Sequence, residues 1–184
     1  MAVNIVKSTL LTNRDARPQI PNDPRTLGRI ISQLAKVKTT TGDSIASQYG
    51  FMQIPSSAII NSCLLSCQAL STSVTGDLGL WETAQYAYGA DFTLTSGWST
   101  TAGSVANAGQ YFGAAITMSS ALFKQQQLNQ SSWTTQANMD QPVWQILGLA
   151  SDPMRFFDVV LTLDASMTAG GYVVVEISYR STQA

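Results

Sequence analysis

The chain has 184 residues, with ten Lys and Arg, eleven Asp and Glu, no His and a net charge of −1. Only 11% of residues are charged while 45% are hydrophobic, so the polar surface must be built from hydroxyls and amides, which suits sheet and long loops better than charge-faced helices. The length fits one domain able to bury roughly 70% of its unfolded surface without disulfides, and no stretch approaches the ~20 apolar residues of a membrane-spanning helix.

The opening, MAVNIVKSTLLTNRD, lacks the apolar core of a signal peptide, so the expectation is a soluble protein made in the cytoplasm. The small net charge hides an asymmetry. Residues 1–38 carry seven basic residues against Asp15 and Asp23, a net +5; residues 39–184 carry three against nine acids, a net −6. Within the basic part, TNRDARPQIPNDPRTLGR holds three prolines and few apolar residues, which rules out a central strand or a long helix. Residues 1–27 therefore read as an extended arm and residues 28–184 as the body. The arm either wraps its own domain or docks on a neighbouring subunit or an acidic lattice. Nucleic acid is disfavoured, because the positive charges lack interleaved aromatics and any recognisable binding motif.

From Gly28 the chain turns strand-like. RIISQLAKVKTT admits a helix, but its β-branched tail and the Thr-Gly-Asp turn after it favour a strand. SIASQYGFMQIP reads as a strand ended by Pro55, with Ser56 and Ser57 as the turn. AIINSCLLSCQAL is a half-buried strand, with Ile59, Cys63, Leu65, Cys67 and Ala69 on one face. DLGLWET is a short strand with Leu78 and Leu80 inward. Residues 84–139 are a long excursion rich in Gly and small residues; within it AAITMSSALFKQQQLN fits either a strand or a helix, and SSWTTQANM has strand character around Trp133. Asp140 is placed to cap a short helix through PVWQILGL, with Gly148 near its end. FFDVVLTLD and YVVVEISYR, joined by ASMTAGG, read as a terminal β-hairpin. Phe157, Val159, Leu161 and Leu163 form the apolar face of its first arm, and Val173, Val175, Ile177 and Tyr179 that of its second. Gly170 and Gly171 are expected to supply positive φ in the loop. Strands punctuated by turns, with one short helix, describe an all-β sandwich or jelly roll.

Cys63 and Cys67 on one strand would stand about 13 Å apart at ~3.3 Å per residue, beyond the ~7 Å reach of a disulfide, so both are expected free and buried. No chemistry is legible. Histidine is absent, and the carboxylates are scattered singly. No nucleophile elbow, phosphate loop or calcium loop occurs. Two thiols do not close a zinc site. The Gly109–Gly113 spacing and the sequon at Asn129 lack the context that would give them meaning. No catalytic residue, metal or cofactor is expected. Trp81, Trp98, Trp133, Trp144, Tyr86 and Tyr88 would suit a carbohydrate site, but core and interface roles suit them better: Trp81 and Trp144 in the core, Trp98 and Tyr86 over loops or at subunit interfaces.

Three stretches, TGDSIASQYGFMQIPSSAIINSCLLSC, GDLGLWET and PVWQILGLASDPMRFFDVVLTLDASMTAGGYVVVEISY, together with the opening IVKSTLLTNRDARP, resemble a family of small virion proteins encoded near the capsid genes of tailed bacteriophages. The order of the parts matches over about half the chain. Members usually carry Tyr or a similar aromatic where Trp81 stands, and they vary most across 84–139. The resemblance implies a capsid decoration or cement (head structural) protein: a jelly roll without catalytic residues, trimeric on the outer capsid surface, with the major capsid protein and itself as partners and neither nucleic acid nor membrane. The arm would then make the lattice contact through Lys7, Arg14, Arg17, Arg25 and Arg29. A glycan- or receptor-binding fibre module and a head–tail connector or tail ring are the rival classes.

Overall fold

The computed structural model describes residues 5–7, 12, 30–82, 98, 108–127 and 140–181. Among the described residues nine strands follow in order: β1 Ile5–Lys7, β2 Ile30–Lys38, β3 Gln48–Pro55, β4 Ala58–Cys67, β5 Thr75–Glu82, β6 Gly113–Thr117, β7 Leu122–Gln126, β8 Phe156–Leu163 and β9 Tyr172–Ser181. A 3-10 turn, Ala108–Gln110, precedes β6, and one short helix, α1 Val143–Ile146, lies between β7 and β8. The strands form two sheets, ordered β1-β3-β8-β5-β6 and β2-β9-β4-β7. This is the all-β sandwich expected.

The connectivity is nested. β2 pairs with β9, β3 with β8, β4 with β7 and β5 with β6, each antiparallel. The chain from β2 to β9 is thus one long hairpin with its apex between β5 and β6, rolled so that β4 also meets β9 and β5 meets β8. That is the eight-stranded jelly roll, with β1 added in parallel at the free edge of β3.

Nesting overturns the terminal hairpin. β8 and β9 lie in different sheets, and the segment between them crosses the sandwich. The two glycines there serve another purpose than expected: neither has positive φ. A Cβ on Gly170 would stand 2.8 Å from the Thr39 carbonyl oxygen, and one on Gly171 2.9 Å from Leu70 Cδ2. They are small because loops crowd there. Thr39 donates its backbone N–H to Gly171 at 2.8 Å, Gly42 to Met167 at 3.1 Å and Ala169 to Leu70 at 3.0 Å. The turn at Ser56 and Ser57 likewise changes sheets, and AAITMSSALFKQQQLN resolves into β6 and β7, again one in each sheet.

The core fills from the inward parity of both sheets. Tyr49, Met52, Ile54, Leu78, Leu80, Phe157, Val159 and Leu161 face Cys63, Leu65, Val173, Val175 and Ile177, all fully buried. Each such aliphatic or aromatic side chain contributes roughly 1.5–3 kcal/mol. β4 and β9 keep the expected faces, except that Ala69 lies beyond β4 and is exposed, while a bulge after Ile60 buries both Ile59 and Ile60. Helix α1 begins at Pro142 without a side-chain cap; Asp140 is exposed in the preceding turn and does not cap it. Gly148, at φ 70°, follows its end as expected.

Cys63 and Cys67 are free and buried on β4. Burial pushes both thiols up, so little reactive thiolate forms near neutral pH. Native protein is expected to react with a disulfide reagent at least about tenfold more slowly than free cysteine, and both thiols to titrate at once in denaturant. Fast labelling of the native state would contradict the packing of β4.

Candidate interaction surfaces

The two outer faces of the sandwich differ. On the β1-β3-β8-β5-β6 sheet the outward positions of β8 include Asp158 and Val160, both fully buried. Trp98 and the Ala108–Gln110 turn lie over this face. Trp98 is 2% exposed; its indole N–H donates to the Asp158 carboxylate at 2.7 Å, and its backbone N–H and C=O bond the Gln48 amide at 2.9 and 2.8 Å. Gln53 donates to the other Asp158 oxygen at 3.0 Å. Over β5, Phe112 donates its backbone N–H to Leu78 at 2.9 Å, and the 3-10 turn closes on Gly79 so tightly that a Cβ there would fall 2.0 Å from the Gly109 carbonyl carbon. Trp98 is therefore a buried anchor rather than an interface residue, while Trp81 and Trp144 are half-buried. Trp133, Tyr86 and Tyr88 lie outside the described residues.

Among the described residues nothing covers the outer face of the β2-β9-β4-β7 sheet. Ile30 and Leu34 on β2 are 70% and 60% exposed, and Phe123 on β7 is 86% exposed. Lys36, Lys38 and Arg180 are exposed on this side, with Lys36 4.7 Å above the Tyr172 ring. Lys124 pairs with Glu176 at 3.2 Å. Basic groups therefore outnumber acids on this face.

Acidic groups gather elsewhere. Asp43 is buried and accepts from the Tyr49 hydroxyl and from the Thr40 backbone N–H; burial, then the hydrogen bond to Asp43 and its charge, drives the Tyr49 phenol far above its usual range. Asp77 accepts from Gln110 at 2.6 Å and from the Ala115 backbone at 2.8 Å. Partial burial, then the charge of Asp77, holds the Asp164 carboxyl above its ordinary range. This pair comes together only through the β5–β8 pairing, and no sequence spacing signals it. At the opposite end Arg155 bonds Glu82 at 2.6 Å, and the Ser56 hydroxyl donates to Asp152. Among the described residues no three of His, Cys, Asp and Glu could hold a metal together, and no helix is long and apolar enough to cross a membrane.

Of the five residues expected to contact a lattice, Lys7 closes β1 and is half-buried. Arg14, Arg17, Arg25 and Arg29 lie outside the described residues. β1 itself lies against β3 of the same chain, so the first part of the arm is an element of the body's own sheet.

The class these features define is a jelly roll with one roofed and one open face, an architecture that occurs in viral capsid and lectin domains alike. No family model matches the chain, and no curated protein matches it. Among solved structures it is similar to a chain in the capsid of Ralstonia phage GP4, with a TM-score of 0.60 and 13% identity over 98% of this chain and 99% of that one. A chain in the cyanophage Pam1 capsid asymmetric unit aligns over 88% and 94% of the two lengths at 14% identity and a TM-score of 0.47. At these identities the first likeness is one of fold.

Proposed function

We propose that the protein is a non-enzymatic structural component of a tailed-phage virion, binding the outer capsid lattice and cementing neighbouring capsomers. The observation that carries this is the end-to-end match to a chain of the GP4 capsid, which agrees with the phage virion family the sequence resembles. The major capsid protein is the partner, and the family resemblance supplies the trimeric state. Low surface charge and a basic leading segment suit a protein that covers an acidic shell. Each contact must bury roughly 1,000 Å² to be specific, and many symmetric copies then raise the effective concentration at every site.

The basic segment is the proposed lattice contact, through Lys7, Arg14, Arg17, Arg25 and Arg29. Removing residues 1–27 also removes β1, so the sharper test keeps Ile5–Lys7 and changes Arg14, Arg17, Arg25 and Arg29 together to Gln. Exposed ion pairs contribute about 0.2–1 kcal/mol each, so with all four removed co-sedimentation with capsids stripped of this protein should weaken by about fourfold to several hundredfold. Wild-type binding should also fall as salt rises. Capsid occupancy unchanged by the fourfold substitution would remove the segment from the contact.

A further inference from the structure

Sheet edges expose unpaired backbone N–H and C=O groups and are normally blunted. Three of the four edges here are. At the outer side of β3, the edge is taken by the three-residue β1. β6 is five residues long and broken by Ala115 at φ 48°; β7 is also five residues and is broken by Lys124 at φ 48°. β2 is different. It runs nine residues, Ile30–Lys38, in unbroken register with β9, without a positive φ or a proline. Its other side carries no strand among the described residues.

We propose that β2 pairs antiparallel with β2 of a second copy, about a twofold axis at Leu34, joining two four-stranded sheets into one. Three observations select this occupant. First, the register is self-complementary in charge. With Leu34 opposite its own copy, Lys36 faces Ser32 and Lys38 faces Ile30, so no lysine meets a lysine directly; like charges placed opposite each other would oppose pairing. Second, the exposed apolar groups of the strand, Leu34 and Ile30, are brought against the partner's Leu34 and the stem of its Lys38.

Third, Gln33 is incompletely bonded. Its side-chain N–H₂ donates one hydrogen bond, to the Tyr179 hydroxyl at 3.3 Å, while its Oε1 is buried and without a partner. A primary amide has a second N–H to give. In this register the two Gln33 side chains are diagonal neighbours across the axis, within reach of long side chains. Each spare N–H can then serve the other's unpartnered oxygen. A buried acceptor left alone is disfavoured, and the pairing removes two such acceptors at once.

A single strand pairing buries less than a standard interface, so the contact is weak in dilute solution and strengthens where copies are already held side by side. It does not depend on capsid binding and is measured without capsids. Sedimentation velocity on the full chain, from low micromolar to submillimolar concentration, should show a concentration-dependent doubling of mass. Leu34→Lys places two like charges opposite each other on the axis and should weaken the doubling by at least about tenfold. Phe123→Lys, at a still more exposed apolar position on the opposite edge, should leave it intact. If the protein is also trimeric, Leu34→Lys should return hexamers to trimers. Circular dichroism confirms that both variants are folded. A mass that never doubles, a doubling that survives Leu34→Lys, or one that Phe123→Lys abolishes would each overturn the proposal.

Discussion

Gly79→Ala is expected to destabilise the protein by about 3 kcal/mol, at the upper end of what overpacking costs and more than a typical substitution. Gly79 sits mid-strand in β5 opposite Val160, where glycine is ordinarily a weakness. Here the added methyl would lie 2.0 Å from the Gly109 carbonyl carbon, 2.1 Å from its oxygen and 2.4 Å from the Ala108 oxygen. All are backbone atoms, so no side chain can rotate aside. Either the strand or the 3-10 turn must move. Moving the turn breaks the Phe112-to-Leu78 hydrogen bond and withdraws Tyr111 and Phe112, which are 1% and 0% exposed. At roughly 2–4 °C per kcal/mol for a chain of this size, the melting midpoint should fall by about 10 °C. Calorimetry decides it: a midpoint within the error of wild type would mean that the 3-10 turn does not rest on β5.

Asp158→Ala is expected to cost about 2–5 kcal/mol, because it takes the acceptor from the buried Trp98 N–H and from the half-buried Gln53 amide, at about 1–3 kcal/mol each. The Trp98 indole N–H and the Gln53 amide both end on this carboxylate. Asp158→Asn keeps an acceptor and should cost less. The structural content lies in the coupling. In a double-mutant cycle with Trp98→Phe, which deletes the N–H and keeps most of the ring, the two changes should be non-additive by about 1–3 kcal/mol. Additive losses would separate Trp98 from Asp158 and remove the anchor that holds the roof over β8.

This pair also shows where sequence reading stops. Asp158 alternates with Phe157 and Val159 as a solvent-facing residue should, and from β8 alone its face reads as wet. What buries it is a tryptophan sixty residues away, in a stretch whose small residues and glycines carry no period. The same holds for Gly79, whose partner turn lies in that stretch. The candidate surfaces were legible only in part: the alternation of β9 marks which of its residues face outward, but β2 mixes both faces in sequence, and nothing local says that one face would be roofed and the other left open. Asp77 and Asp164 read as isolated acids because their strands are far apart in the chain.

The sequence by itself determined the strands from β2 to β5, together with β8 and β9, the buried parity of β4, β5, β8 and β9, the two free thiols and the sandwich class. These follow from alternation, β-branching and turn residues, whose physics acts within a few neighbouring residues. Tertiary structure alone decided which strands pair. ASMTAGG suits a hairpin loop as well as a crossing between sheets, since both need small, flexible residues and leave the same alternation on either side. Only the rolling of the whole chain puts β9 between β2 and β4 and β8 between β3 and β5. The β2–β9, β4–β9 and β3–β8 contacts join residues more than a hundred positions apart, and the β5–β8 contacts join residues at least 75 apart, beyond the reach of any local pattern. The same rolling leaves β2, a strand the sequence already marks, as the long unblunted edge.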